Sequence, residues 1–294
     1  MLWQEINFTC EKSSITILED YMLNLGACSV TFKDAEDIPI LEPALGETPL
    51  WDKVSFTALF TDDHDLQDLL QNIKQSHPSI INSLNSHTFA DEDWERTWMD
   101  NFKPLQFGKR LWVCPSWETP PNPNAINILL DPGLAFGTGT HETTALCLSW
   151  LDQHIKGHES VIDYGCGSGI LAVAAKKLGA SQVYGIDIAP QAVTATQDNA
   201  IKNDIDPKDI LVFLADEQPE TLQTDIVVAN ILAGILIELF EHINAKVKPS
   251  GTIVLSGILR EQADEVLLHY SQSFQMNAPT FKGDWALLSG TKKC

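Results

Sequence analysis

Long apolar runs, closely spaced cysteines and basic residues are all scarce in this chain, and each scarcity closes off a class of protein. No stretch of 18 or more apolar residues occurs; the longest, such as Ile226-Val227-Val228-Ala229, have the length of a buried strand. A membrane span is therefore not expected. Met1-Leu2-Trp3-Gln4-Glu5 carries neither a basic nor an apolar stretch, so no secretory signal is expected either. The six cysteines (Cys10, Cys28, Cys114, Cys147, Cys166 and Cys294) form no Cys-x-x-Cys pair and no Cys/His cluster at zinc spacing. So few in so long a chain argue against a disulfide framework. The expectation is a cytoplasmic protein in a reducing compartment, with no metal.

Positive charge is the scarcest commodity. Nineteen Lys and Arg stand against 40 Asp and Glu, a formal net charge of −21. Residues 1–100 hold 19 acids and 5 bases, a net of −14; residues 101–294 hold 21 and 14, a net of −7. Such a surface repels nucleic-acid phosphates. Solubility is a sufficient cause of the excess, and a docking surface for something basic is the sharper one.

What is present describes a globular protein of two units: 294 residues, 44% apolar and 20% charged. The first 90 residues read as strand, helix, strand, strand, helix, strand. Residues 2–9 partly alternate; Ser13 and Ser14 offer an N-cap to a helix carrying Ile15, Leu18, Met22 and Leu25, which Gly26 stops. Strands are expected at 27–33, 53–60 and, weakly, 84–90, with a second helix at 65–75. That order is the split β-α-β pattern of a small ferredoxin-like α+β domain. Residues 91–125 read as a Trp-rich linker holding Trp94, Trp98, Trp112 and Trp117, with Trp94 and Trp98 on one face of a short helix and a Pro-rich loop at 115–124. From 126 to 294 the pattern alternates: strand 161–163, helix 169–178, strand 183–186, helix 190–202, strands 210–214 and 225–229, helix 232–243, strand 252–255, helix 260–270 and two terminal β-rich pieces. Alternating strands and helices predict a parallel, doubly wound α/β sheet, whose ligands bind at the carboxyl ends of its strands.

The densest chemical signal is Val161-Ile162-Asp163-Tyr164-Gly165-Cys166-Gly167-Ser168-Gly169, a strand running through alternating glycines into a helix. Such glycines permit a tight turn and a ligand close to backbone N–H groups. A plain turn would use them too, and the spacing departs from the dinucleotide fingerprint G-x-G-x-x-G. Asp187 closes the next strand, where an acid can accept from both ribose hydroxyls of an adenosine, or can cap the helix that begins at Pro190. Loop and acid together suit NAD or S-adenosylmethionine. Two further segments bear on the choice. Residues 130–144 (LDPGLAFGTGTHETT) bring Thr140, His141, Thr143 and Thr144 to a helix start able to hold a carboxylate. Asn230 ends a buried strand, where a neutral amide can accept from an amine or cap a helix.

At this point the residues resemble a known family. GCGSG after VIDY is similar to motif I of class I S-adenosylmethionine-dependent methyltransferases. LLDPGLAFGTGTH paired with VVANILAG resembles the ribosomal protein methyltransferases that act on the eleventh protein of the large subunit. GETPLWD (46–52), DEDWERTWMDNFKP (91–104) and FGKRLWVCPSW (107–117) extend the likeness over almost the whole chain. Glu142, where the family commonly has proline, departs from it at a helix start.

The resemblance implies a seven-stranded Rossmann-like methyltransferase sheet over 126–294, a substrate-recognition domain over 1–90 and the linker 91–125 between them. It implies S-adenosylmethionine as cofactor, without a metal, held by Thr144, Gly165, Asp187 and Asn230: Thr144 near the methionine end, Asp187 on the ribose and Asn230 near the transferred methyl. Asp216 would reach the adenine amino group, and His141 would accept a proton or steady its loop; no catalytic residue is assigned. The implied substrate is a basic ribosomal protein, methylated on lysine or α-amino groups by a monomer that touches neither nucleic acid nor membrane. Mobility of the 132–140 loop would admit it. Three other functions remain open. A nucleic-acid N-methyltransferase would follow Asn230 with prolines and an aromatic where Ile231-Leu232 stand; a nicotinamide-dependent oxidoreductase would space its glycines differently; a binding protein could keep the fold without the reaction.

Overall fold

The structure, a computed structural model, describes residues 2–36, 49–90, 102–131 and 141–294. The pair Trp94 and Trp98 and the loop 132–140 lie outside the described residues. The chain divides into two compact units, Met1–Met99 and Asp100–Cys294. Among the described residues no helix is long and apolar enough to cross a membrane.

In the first unit the elements are β1 (Leu2–Glu11), α1 (Ile15–Asn24), β2 (Ser29–Asp34), β3 (Lys53–Thr61), α2 (Leu66–Ser76) and β4 (Asn85–Ala90). The strands form one antiparallel sheet in the order β2-β3-β1-β4. Strict alternation decides its inner face: Ile6, Phe8 and Cys10 of β1 and Val54, Phe56, Ala58 and Phe60 of β3 are buried. They pack against Ile15, Leu18 and Met22 of α1 and Leu69 and Ile73 of α2. Phe8 and Phe56 stack with ring centroids 4.6 Å apart. Asp65 caps α2, accepting from the amides of Gln67 and Asp68 at 2.8 and 3.2 Å. The serine cap expected for α1 is not made. Lys12–Ser14 form a 3₁₀ turn that leads directly into the helix, and Ser14 at the cap position makes no side-chain hydrogen bond to it.

The second unit opens with β5 (Leu105–Phe107), β6 (Leu111–Cys114) and β7 (Ile126–Leu129), a small sheet in that order. Within the Trp-rich stretch, residues 105–107 and 111–114 are thus strands joined by a turn. Phe107, Leu111 and Val113 are buried in the same cluster as the helices that follow. The main elements are α3 (Glu142–His154), β8 (Ser160–Tyr164), α4 (Ile170–Lys177), β9 (Gln182–Asp187), α5 (Pro190–Lys202), β10 (Ile210–Leu214), β11 (Thr224–Asn230), α6 (Ala233–Glu238), α7 (Phe240–Lys246), β12 (Val247–Leu259), α8 (Ala263–Tyr270), β13 (Phe274–Met276), β14 (Thr280–Lys282) and β15 (Trp285–Lys292).

Seven strands run in the order β10-β9-β8-β11-β12-β15-β13, and β14 pairs with β15 as an eighth. The first five are parallel, whereas β15 runs antiparallel to β12, β13 and β14. The doubly wound parallel part is as expected, and the terminal β-rich pieces make the sheet a mixed one. Helices cover both faces. Val161, Ile226, Val228 and Val254 face α3 and α4, while Ile162, Val227, Ala229, Ile253 and Leu255 face α6, α7 and α8. The helix expected over 232–243 is two, meeting at Leu239, and the strand expected over 252–255 extends from Val247 to Leu259. The long strand bulges between Leu255 and Ile258, where Gly257 has φ +82°. A Cβ there would lie 2.4 Å from the Ile231 carbonyl oxygen, so only glycine lets the chain after β11 rest against β12.

Asp152 ties the small sheet to α3. It is 4% exposed; one carboxylate oxygen accepts from the Lys109 amide at 2.7 Å, the other from the Arg110 amide at 3.2 Å and Arg110 Nε at 3.1 Å. Arg110 also donates to the Asp152 carbonyl. Removing the carboxylate strands two backbone amides. Asp152→Ala is expected to lower stability by about 3 kcal/mol in urea denaturation, and Asp152→Asn, which keeps one acceptor, by less. Equal loss in both variants would mean that the charge, not the acceptor, holds the turn.

Candidate functional site

Strand order places a crevice between β8 and β11. From β8 the chain proceeds outward through β9 to β10, then returns to the other side of β8 as β11, so the connections leave in opposite directions. This is the topological switch point at which doubly wound sheets bind ligands. Ala229 pairs with Tyr164, and therefore Asn230 and Gly165 leave the sheet side by side.

The glycine loop curls from this edge toward β9. The amides of Gly165 and Cys166 both donate to the Ile186 carbonyl, at 2.7 and 3.1 Å. Gly165 has φ +77°, and a Cβ on it would stand 2.5 Å from Ile231 Cγ2. A side chain there would collide with Ile231, so glycine lets the loop pack against the residue after Asn230. Gly169 passes directly into α4, which has no side-chain cap of its own. The missing cap is supplied from the strand: Asp163 Oδ2 accepts from the Ala172 amide in the first turn, at 3.0 Å.

Asp187 is half-buried at the end of β9. Its Oδ2 accepts from the Gly167 amide at 2.9 Å and its Oδ1 from the Ala189 amide at 3.0 Å. It therefore braces the glycine loop instead of capping first-turn amides of α5. Each oxygen retains a lone pair for a further donor. Ile188, beside it, is 86% exposed.

On the opposite wall, α3 begins at Glu142. The departure from the family's proline thus falls on the first helical position, which tolerates proline and also favours an acid. His141 is the N-cap: its Nδ1 accepts from the Thr143 amide at 3.4 Å and meets Thr143 Oγ1 at 2.8 Å, and its ring sits edge-on to Trp285 with centroids 4.8 Å apart. Thr144 is buried and its Oγ1 accepts from Asn230 Nδ2 at 3.3 Å. With that bond made, the Asn230 carboxamide oxygen accepts no hydrogen bond among the described residues.

Thr144, Asn230, Gly165 and Asp187 are thus linked in sequence by one side-chain bond, one strand register and one brace to the loop. Asp216 is exposed beyond the end of β10 and shares no hydrogen bond or ion pair with these four. Among the described residues, no group of three or more His, Cys, Asp or Glu is placed to hold a metal ion.

Sequence reasoning passed over two features. One is Ile188, whose exposed apolar side chain follows a strand-ending acid. The other is the state of Asp163: 1% exposed, its carboxyl is pushed up to about 8 by burial foremost, with the charge of Asp187 adding to it. Burial likewise raises the thiols of Cys147 and Cys166, with Asp163 contributing.

The doubly wound sheet with a glycine loop at its switch point is that of the Rossmann-like class. A family model described as "Ribosomal protein L11 methyltransferase (PrmA)" matches residues 2–293. Proteins named ribosomal protein L11 methyltransferase from Shewanella piezotolerans and Shewanella sediminis are 51% and 50% identical to the chain, each aligned over 100% of both sequences. The crystal structure of a ribosomal protein L11 methylase from Lactobacillus delbrueckii subsp. bulgaricus superposes with a TM-score of 0.59 at 32% identity, covering 66% of this chain and 99% of that one. The chain belongs to the ribosomal protein L11 methyltransferase family.

The raised Asp163 carboxyl has a measurable consequence for folding. The native state keeps a proton that the unfolded chain releases near pH 4, so this group's contribution is complete below that pH and is lost as pH rises toward about 8. Asp163→Asn removes the titration. Denaturation from pH 5 to 8 should show the variant gaining on the unaltered protein, by at most about 1.4 kcal/mol per pH unit. Parallel stability profiles would mean that Asp163 is ionised in the native state.

Proposed function

We propose that the chain is an S-adenosylmethionine-dependent protein N-methyltransferase acting on amines of ribosomal protein L11, on lysine side chains, an α-amino group or both. The observation that carries this is the alignment of Thr144, Asn230, Gly165 and Asp187 around the crevice between β8 and β11. The residues fit the cofactor: Gly165 carries no side chain to bar approach to the loop backbone, Asp187 keeps lone pairs for two ribose hydroxyls, and Ile188 offers an apolar face to a base. Thr144 and Asn230 would lie at the methionine and methyl end. When bound, S-adenosylmethionine supplies a methyl group on an already electrophilic sulfonium.

The protein's tasks are then alignment and exclusion of water. A lysine amine, near pKa 10.4 in water, must shed a proton before it can attack, and a site with little water favours the neutral form. The Asn230 carboxamide oxygen can accept from that amine without adding charge. His141 is engaged as a helix cap, and no general base is assigned. Residues 1–90, with most of the acidic excess, serve as the substrate-recognition module, 91–125 as the linker and 126–294 as the catalytic domain. Complementary charge steers the basic ribosomal protein onto the first of these. A monomer working in the cytoplasm, touching neither nucleic acid nor membrane, completes the reading.

The direct test is incubation with methyl-labelled S-adenosylmethionine and separated large-subunit proteins, followed by mass analysis. Label on lysine or α-amino nitrogen of ribosomal protein L11 is expected, and label on another protein, or none, would refute the assignment. Asp187→Ala should weaken S-adenosylmethionine binding about 10- to 100-fold, the worth of hydrogen bonds to a charged acceptor; undiminished affinity would misplace the ribose. Raising salt from about 0.05 to about 0.3 M should increase KM for the protein substrate several-fold while the cofactor's Kd changes little. A KM that ignores salt would refute electrostatic docking.

A further inference from the structure

The Asn230 carboxamide is held by a series of contacts that begins outside the crevice, at the turn between β14 and β15. Arg260, which follows β12, anchors that turn. Its amide donates to the Asp284 carbonyl at 2.7 Å, its Nη2 donates to the Gly283 carbonyl at 2.9 Å, and its guanidinium lies 4.2 Å from the centre of the Phe281 ring. The start of α3 rests on the same turn. The Glu142 carboxylate comes so near Gly283 that a Cβ on that glycine would stand 2.8 Å from Oε1, and the His141 ring meets Trp285 edge-on at 4.8 Å. His141 then closes the helix end, its Nδ1 3.4 Å from the Thr143 amide and 2.8 Å from Thr143 Oγ1. Thr144, the next residue, accepts from Asn230 Nδ2 at 3.3 Å. Histidine is an uncommon N-cap, since serine, threonine, asparagine and aspartate are preferred there. Its ring supplies what they lack, a second contact that ties the cap to the neighbouring turn. An amide N–H directed at Nδ1 requires the lone pair on that nitrogen, which assigns the proton of the neutral ring to Nε2. The ring therefore has no lone pair left for an attacking amine.

We propose that His141 is a positioning residue for methyl transfer, acting through Thr144 on Asn230 and not as a base. By capping α3 and leaning on Trp285 it fixes the first turn of the helix, and that turn carries the hydroxyl to which the Asn230 amide is bound. The inference rests on the function proposed above, in which the Asn230 carboxamide oxygen accepts from the incoming amine. Without a cap, the first-turn amides lose their partner and the helix end frays. An Asn230 side chain released from Thr144 spreads over several rotamers and presents either end of its amide. Misplacing a positioning group by about 1 Å costs on the order of a hundredfold in rate, although the group itself makes and breaks no bond.

Two substitutions separate a cap from a base. His141→Asn keeps a capping acceptor but takes up no proton, and His141→Ala does neither. With methyl-labelled S-adenosylmethionine at saturation and ribosomal protein L11 as acceptor, kcat of His141→Ala should fall about 10- to 100-fold. The KM for the protein substrate and the cofactor's Kd should stay within about threefold of the parent, because the loss falls on the reacting geometry. His141→Asn should recover kcat to within about threefold and keep the parent's pH–rate profile. Thr144→Val, which cuts the link to Asn230, should lose about as much as His141→Ala, and the double variant no more than either. An Asn variant as impaired as the Ala variant, an unimpaired Ala variant, or losses that multiply in the double variant would overturn the positioning role alone. A parent protein that neither binds S-adenosylmethionine nor labels ribosomal protein L11 would overturn the reading beneath it as well.

Discussion

Parallel pairing of β8 with β11, in the register that sets Ala229 against Tyr164, is the constraint on which the site depends. It brings Gly165 and Asn230 out of the sheet as neighbours although 65 positions separate them in sequence. Hydrophobic burial enforces that register. Val161, Ile226 and Val228 must meet α3 and α4, and Ile162, Val227 and Ala229 must meet the opposite helices; a slip of one residue would turn every one of them to the wrong layer. The precision of the crevice is thus a by-product of a close-packed core. Helix α3 is then moored across the strand ends by the side-chain link of Asn230 to Thr144.

Two acids lie near this edge, and their surroundings set them different tasks. Asp187 is half-buried, braces the glycine loop and keeps acceptor capacity for a ligand. Asp163 is enclosed, meets one amide and keeps a proton. Pairs of carboxyls whose environments differ in this way are a recurrent means of obtaining two chemistries from one residue type. The acidic excess elsewhere acts differently. It is concentrated toward the N-terminal third of the sequence, and in the proposed function it works over distance through the field it generates and not through any one pair.

Much of the fold was legible because burial writes itself into the sequence. β8, β9 and β11 are short runs rich in apolar residues, and the proposed site residues Gly165, Asp187 and Asn230 stand at their ends. Gly165 was legible as a turn, Asp187 and Asn230 as strand ends, and Thr144 as one of several hydroxyl groups at a helix start; the family likeness singled out these four. The obscured parts have physical reasons. β5 and β6 carry three and four residues, too few for periodicity to show. The direction of β15 depends on how the chain returns, which composition does not record. Pro249, Ser250 and Gly251, outside the strand expected over 252–255, lie inside β12. Asp163 was hidden most deeply, since its partner is a backbone amide and its proton follows from burial.

The central claim is the position of the cofactor at the carboxyl ends of β8, β9 and β11. Photo-crosslinking with methyl-labelled S-adenosylmethionine, followed by peptide mapping, tests it most directly. Label is expected on peptides spanning Asp163–Ile170, Asp187–Ala189 or Asn230–Leu232, and excess unlabelled cofactor should displace it. Displaceable label confined to the small sheet of β5 to β7, or to residues 1–90, would contradict the account.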